Sequence, residues 1–157
     1  MFSIQIRAVG ALQEMWHPQA IHSYAQRLTP FARLEVKEIA EGHQGSAKPN
    51  LEKARSAEAE RLLKNLPANA VVIALDETGK EMDSRTFAKQ LDQWGGTGSP
   101  VIFIIGGSWG LDASVRERAN VVLSLGKITM PHAMARIVLT EQLYRAMTIL
   151  NGKEYHK

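Results

Sequence analysis

No cysteine occurs among the 157 residues, which excludes disulfides and thiolate metal sites and fits a reducing compartment. The five histidines, His17, His22, His43, His132 and His156, show no metal-ligand spacing, and His17 and His22 stand five apart, off a common helical face. No metal is expected. No run approaches the roughly 18 apolar residues that a membrane span needs, and the opening MFSIQIRAVG has too short an apolar stretch for a signal peptide. A soluble, cytoplasmic protein without a membrane partner is expected. Charge of one sign is also scarce: a net charge of +3 permits a polyanionic partner without requiring one. The length predicts one domain, residues 1–157, which needs no covalent staple.

What is present is an alternation of strand-like and helix-like segments. Phe2, Ile4 and Ile6 alternate with polar residues and predict a half-buried strand ended by Gly10. A helix follows around Pro18 to Leu28, with Ile21, Tyr24, Ala25 and Leu28 on one face. Leu34 and Val36 predict a second strand, with Ile39 after a register break, and Glu41 to Asn50 reads as a mobile loop in which His43 and Lys48 could meet a phosphate backbone. Leu51 to Leu66 is helix-forming and Pro67 ends it. Ala70 to Leu75 and Val101 to Ile105 are apolar on both faces, as central strands covered by helices are. The first is expected to end in a turn, Asp76 to Gly79; Ser84 is the expected N-cap of a helix to about Trp94; Gly95 to Pro100 is a glycine-rich linker. A short helix from about Asp112 to Ala119, a strand from Val121 to Leu125, a turn from Gly126 to Pro131 and a long helix from about His132 to Leu150 complete the chain before a basic tail. Leu139, Leu143, Ala146, Met147 and Leu150 form the apolar stripe of that last helix, and Arg136, Glu141, Gln142 and Arg145 fall largely off it. The pattern predicts an α/β fold with a mostly parallel sheet flanked by helices.

Parallel sheets of this kind bind ligands beyond the carboxyl ends of their strands. Three turns qualify, after Leu75, Ile105 and Leu125, and they line one pocket if their strands are neighbours. Known cofactor motifs are absent. Gly106, Gly107 and Gly110 have G-G-x-x-G spacing in place of G-x-G-x-x-G, and no acidic residue closes the next strand, so NAD is disfavoured. Gly126-Lys127 lacks the remaining residues of a phosphate loop, and no serine lies in a G-x-S-x-G elbow. A cofactor held mainly by backbone and apolar contacts survives, and S-adenosylmethionine fits because its electrophilic methyl needs chiefly positioning and an in-line acceptor.

LDETGK at Leu75 to Lys80, IIGGSWGL at Ile104 to Leu111, SLGKITMPHAMARIVLTEQLYRA at Ser124 to Ala146 and the closing YHK resemble the RlmH (YbeA-type) family of SPOUT methyltransferases, in order and along essentially the whole chain. The resemblance implies a homodimer with a carboxyl-terminal trefoil knot, S-adenosylmethionine as cofactor, and methylation of N3 of a pseudouridine in 23S ribosomal RNA on the assembled ribosome. It implies cofactor contacts at Leu75, Gly106, Gly107, Leu125, Gly126, Lys127, Ile128, Thr129, Met130 and Pro131. It places His132, Arg136, Tyr144, Arg145, Tyr155 and His156 at or near the active site. Ser108-Trp109 departs from the Pro-Glu pair common in that family.

Among these, the expected catalytic residues are His156, Arg136, Tyr155 and Arg145. His156 is the expected base or RNA contact, since the imide proton of a uracil-like ring must leave as the methyl arrives. Arg136 could stabilise the developing oxyanion or hold a phosphate, or pair with a carboxylate of the dimer partner. Arg145 and Glu141 have the spacing of a helical ion pair, His132 is assigned a structural role at the turn, and Tyr144 and Trp109 could stack on a base or be buried. The alternative is a catalytically silent RNA- or ribosome-binding module of the same fold.

Overall fold

The computed structural model describes residues 1–43, 47–48 and 50–157. Five strands form one parallel sheet: β1 (Phe2–Val9), β2 (Ala32–Ile39), β3 (Val71–Lys80), β4 (Val101–Ile105) and β5 (Val121–Leu123), in the order β2-β1-β4-β3-β5. The helices are α1 (Trp16–Leu28), α2 (Leu51–Leu63), α3 (Ser84–Gly95), α4 (Ala113–Arg118) and α5 (His132–Leu150).

β4 shows why the central strands are apolar throughout. Val101, Phe103 and Ile105 join a core with Leu28, Phe87, Leu91, Leu139 and Leu143 from α1, α3 and α5. Ile102 and Ile104 join a second core with Leu62 and Val115 from α2 and α4. Alternate side chains of one strand thus meet helices on opposite faces, and polar residues have no place there.

Several boundaries differ from those read in the sequence. β3 does not stop at Leu75 but continues to Lys80 through a register shift in which both Leu75 and Lys80 pair with Leu123. Asp76 makes the shift by accepting from the backbone N–H of Thr78, and Gly79 allows it, because a Cβ there would lie 2.7 Å from the backbone of Val122 and Leu123. The N-cap of α3 is Asp83, whose carboxylate accepts from Thr86 N–H, while Ser84 Oγ donates to Gln142 on α5. Helix α2 ends at Leu63, short of Leu66: Lys64 turns extended, Asn65 adopts φ +53, and the Arg7 guanidinium takes the freed carbonyls of Leu62 and Lys64. β5 ends at Leu123, where Ser124 turns onto Gly126. No register break precedes Ile39; β2 pairs with β1 without interruption as an edge strand, which relaxes its apolar alternation. The loop read over Glu41 to Asn50 includes Gln44, Gly45, Ser46 and Pro49, which lie outside the described residues. No helix among the described residues is long and apolar enough to cross a membrane.

Candidate functional site

Because β4, β3 and β5 are neighbours, the turns after Ile105 and Leu123 and the bulged stretch of β3 after Leu75 meet. They line a cleft of about 1100 Å³. Of the ten residues expected at a cofactor, Leu75, Gly106, Gly107 and the segment Leu125–Pro131 without Lys127 line it; Lys127 is exposed and stands apart. Two walls are tied together where Thr129 Oγ1 donates to Glu77 Oε2 at 3.0 Å. Gly126 has φ +124, and a Cβ there would meet nothing within 4 Å, so this turn leaves its backbone open to a ligand. Gly106 and Gly107 have the opposite setting, with a Cβ 3.0 Å from the backbone of Gly110 and 2.9 Å from Val9 Cγ1, respectively. They are glycines because the turn packs tightly.

The cleft also holds residues that motif reasoning did not single out: Gln13, Glu41, Arg55, Asp76, Glu77 and Arg116. Burial works to raise the Asp76 pKa, but hydrogen bonds from Thr78 and the charge of Arg116, 3.4 Å away, hold it below the ordinary carboxylate value. Among the described residues no group of three or more His, Asp or Glu is placed to hold a metal ion.

Arg136 is fully buried, contrary to its expected place off the apolar stripe. It shares a face with Thr140 and Leu143, and its charge is surrounded by acceptors from distant parts of the chain. Nη1 donates to Glu38 Oε1 at 2.9 Å, and Nη2 reaches Val9 O at 3.2 Å, Gly10 O, and His132 Nδ1 at 3.0 Å. Burial lowers its pKa from the usual guanidinium value and Glu38 partly restores it. Nδ1 of His132 accepts, so the neutral ring carries its proton on Nε2. Burial and the Arg136 charge lower the His132 pKa, favouring that neutral form. Gly10, at φ +90, packs closely on the ring: a Cβ there would be strained by the backbone and would lie 3.1 Å from Nε2. His132 lines the cleft; Arg136 stands behind it.

The other expected catalytic residues gather elsewhere. After Leu150 the chain reverses: Gly152 N–H bonds to Ile149 O at 3.2 Å and Lys153 N–H to Thr148 O at 2.9 Å, with Gly152 at φ +61. This folds Tyr155 and His156 back along α5. Glu141 is the hub, accepting from Arg145 at 2.6 Å and from the Tyr155 hydroxyl at 2.9 Å. Arg145 lies 4.7 Å over the Tyr155 ring, and its Nη1 is 3.4 Å from His156 Nδ1. Tyr144 packs edge-on to Tyr155, with centroids 4.7 Å apart. Burial and the Glu141 carboxylate push the Tyr155 pKa up, so the phenol stays protonated at neutral pH. Glu141 also raises the pKa of Arg145. Twelve residues of helix lie between His132 and Arg145, which are about 20 Å apart along the axis. None of Arg145, Tyr155 and His156 lines the cleft of its own chain. The Asn-Gly pair after Leu150 was the available signal for this reversal.

Comparison with known proteins covers the whole chain. Residues 2–156 match the family described as "Predicted SPOUT methyltransferase". Proteins named "Ribosomal RNA large subunit methyltransferase H" are similar throughout. The one from Anaeromyxobacter sp. is 44% identical over 156 residues, covering 98% of this chain and 99% of its own, and that of Chromobacterium violaceum is 41% identical over 154 residues, covering 98% of each. The solved structure of "a probable methylase family protein" from Haemophilus influenzae superposes with a TM-score of 0.54 at 15% identity, covering 98% of this chain and 70% of that one, a likeness of fold.

Proposed function

The chain belongs to the SPOUT methyltransferase family, and on that premise we propose that it methylates N3 of a pseudouridine in 23S ribosomal RNA on the assembled ribosome, using S-adenosylmethionine. The observation that carries the reading is the convergence of two glycine-bearing turns and the bulged stretch of β3 on one cleft, with likeness to the ribosomal RNA methyltransferases over 98% of the chain. S-adenosylmethionine fits the cleft by size and by the open backbone at Gly126. Leu75, Gly106, Gly107, Leu125, Gly126 and Ile128–Pro131 would hold it, and when bound it supplies an electrophilic methyl group. The Glu77–Thr129 bond keeps that turn in place.

The chain's own part is positioning and proton handling. His132, its pKa lowered by burial and by the Arg136 charge, presents Nε2–H and is a donor in this state. Arg136 is a positioning residue that joins Val9–Gly10, Glu38 and the start of α5. His156, as base or RNA contact, acts with Arg145 and Tyr155 at the cleft of a second copy, because about 20 Å of helix parts them from their own. The homodimer is supported by the partly exposed apolar side chains Met134, Ile137 and Val138 on α5. One domain over residues 1–157 and the trefoil knot belong to the same proposal, which rests on the family likeness over residues 2–156.

The test begins with calorimetric titration of S-adenosylmethionine against NADH as control, followed by methyl transfer to ribosomes lacking the modification. Saturable binding of S-adenosylmethionine alone and incorporation at pseudouridine N3 are expected. A folded protein that binds ribosomes but neither binds the cofactor nor transfers methyl would be the silent binding module.

A further inference from the structure

Resting on the methyl-transfer reading, we propose that Trp109 is a base-stacking platform on the acceptor side of the cleft, where a nucleobase of the RNA substrate lies against its indole face. A lone exposed aromatic is ordinary on a protein surface, but three features single this one out. Trp109 lines the cleft while remaining 43% exposed, and among the described residues no aromatic ring packs against it. Its position is fixed by backbone: it is the third residue of the Gly107–Gly110 turn, closed by a Gly110 N–H to Gly107 O bond of 3.1 Å and permitted by φ +77 at Gly110. The turn is packed against the end of β4, because a Cβ on Gly106 would sit 3.0 Å from Gly110. The indole is therefore presented by a rigid support.

The third feature is charge. Arg55 of α2 and Arg116 of α4 line the same cleft, together with the carboxylates of Glu41, Asp76 and Glu77, whereas the stretch Leu125–Pro131 brings only backbone, apolar groups and a threonine into it. Arg116 is held in place by Asp76 Oδ2 and by Leu111 O at 2.8 Å. An arginine and an exposed aromatic face in one cleft can hold a single-stranded nucleotide, one part meeting the phosphate and the other the base. The volume of about 1100 Å³ exceeds the roughly 300–1,000 Å³ of pockets that hold one small ligand. Cofactor and acceptor nucleotide can share it, the first between the Leu125–Pro131 turn and Gly106–Gly107 and the second against the indole of Trp109 farther along the Gly107–Gly110 turn.

The experiment measures co-sedimentation of the protein with ribosomes lacking the modification, in the presence of S-adenosylhomocysteine so that no reaction intervenes, beside calorimetric affinity for S-adenosylmethionine. Trp109→Ala is expected to weaken ribosome binding about 5- to 150-fold, the range spanned by loss of one base–aromatic stack. Cofactor affinity should stay within about twofold and Trp109→Phe should retain most of the binding, because a phenyl face still stacks. Trp16→Ala, a second exposed tryptophan outside the cleft lining, is the matched control and should bind as wild type. The platform is overturned if Trp109→Ala sediments like wild type, if it loses cofactor affinity in step with ribosome affinity, if Trp16→Ala weakens binding equally, or if the wild type does not sediment. Wild type that sediments but transfers no methyl removes the methyl-transfer reading alone; the ratio between wild type and Trp109→Ala then still decides the platform.

Discussion

Two arginines on α5 each face a carboxylate, and they do different work. Arg136 is buried, with Glu38, two backbone carbonyls and His132 around it. Arg145 is partly exposed, bound to Glu141 four residues earlier and stacked on Tyr155. The first joins segments 98 to 127 residues apart in sequence; the second, apart from the returning tail, is local to one helix. A charge enclosed by acceptors of the fold has no freedom to meet a substrate, whereas one at a partly open helix surface does. On the proposed reading, the cleft end of α5 holds the site and the tail end reaches the cleft of a second copy.

Breaking the two ends in separate subunits is the strongest way to test that division. Thr129→Trp fills the cleft from an exposed turn without touching the core, and removal of Tyr155 to Lys157 deletes the tail. Each homodimer is expected to lose methyl transfer by about 100-fold or more, the scale of losing a positioned catalytic group. Mixed at equal amounts, the two should regain about a quarter of wild-type activity, since half of the dimers then carry one complete site of two. If mixing restores nothing, the tail acts in its own subunit or not at all.

Stability should separate the two arginines next. Arg136→Ala leaves Glu38 and the carbonyls of Val9 and Gly10 without their donor, and is expected to cost about 3–5 kcal/mol in denaturant unfolding. Arg145→Ala should cost about 1 kcal/mol or less, with an unchanged denaturant slope. Equal losses would erase the distinction. Tyr155→Phe removes only the hydroxyl donated to Glu141 and should cost about 0.5–1.5 kcal/mol by the same measurement.

The division of labour along α5 was only half legible in the sequence. The helix itself was, from His132 to Leu150, because Leu139, Leu143, Ala146 and Met147 recur at helical spacing and are buried. So were the central strands, whose apolar runs fit a sheet covered on both faces, and the turns after Ile105 and Leu125 that line the cleft. Arg136 was not, because a charged residue is read as surface unless its acceptors are visible, and these lie on β1 and β2. The β3 register shift was hidden for a related reason: Asp76 to Gly79 has the composition of a turn, and only pairing with Leu123 shows that the strand resumes. Glu141 was legible as a partner for Arg145 at four-residue spacing, but not as the anchor of Tyr155, since that depends on the reversal at Gly152.

The smallest expected effect bears on how the cleft end keeps His132 neutral. Burial, then the charge of Arg136, lowers its pKa in the folded protein below the ordinary 6.5, while Glu41 and Glu38 oppose the shift. A histidine whose folded value is depressed binds protons more readily when unfolded, so its penalty is absent above 6.5 and grows as pH falls through 6.5 toward the folded value. Asp76 has the other window. Its folded value lies below 3.8, so the stability it contributes is present above 3.8 and is lost as pH falls through the folded value. Unfolding midpoints measured from pH 8 to pH 3 should therefore decline first just below 6.5, and His132→Gln should remove that early decline while leaving the later one. An early decline that persists in His132→Gln would mean that it comes from another group, and that the burial of the ring beside Arg136 does not set the pH response of the cleft.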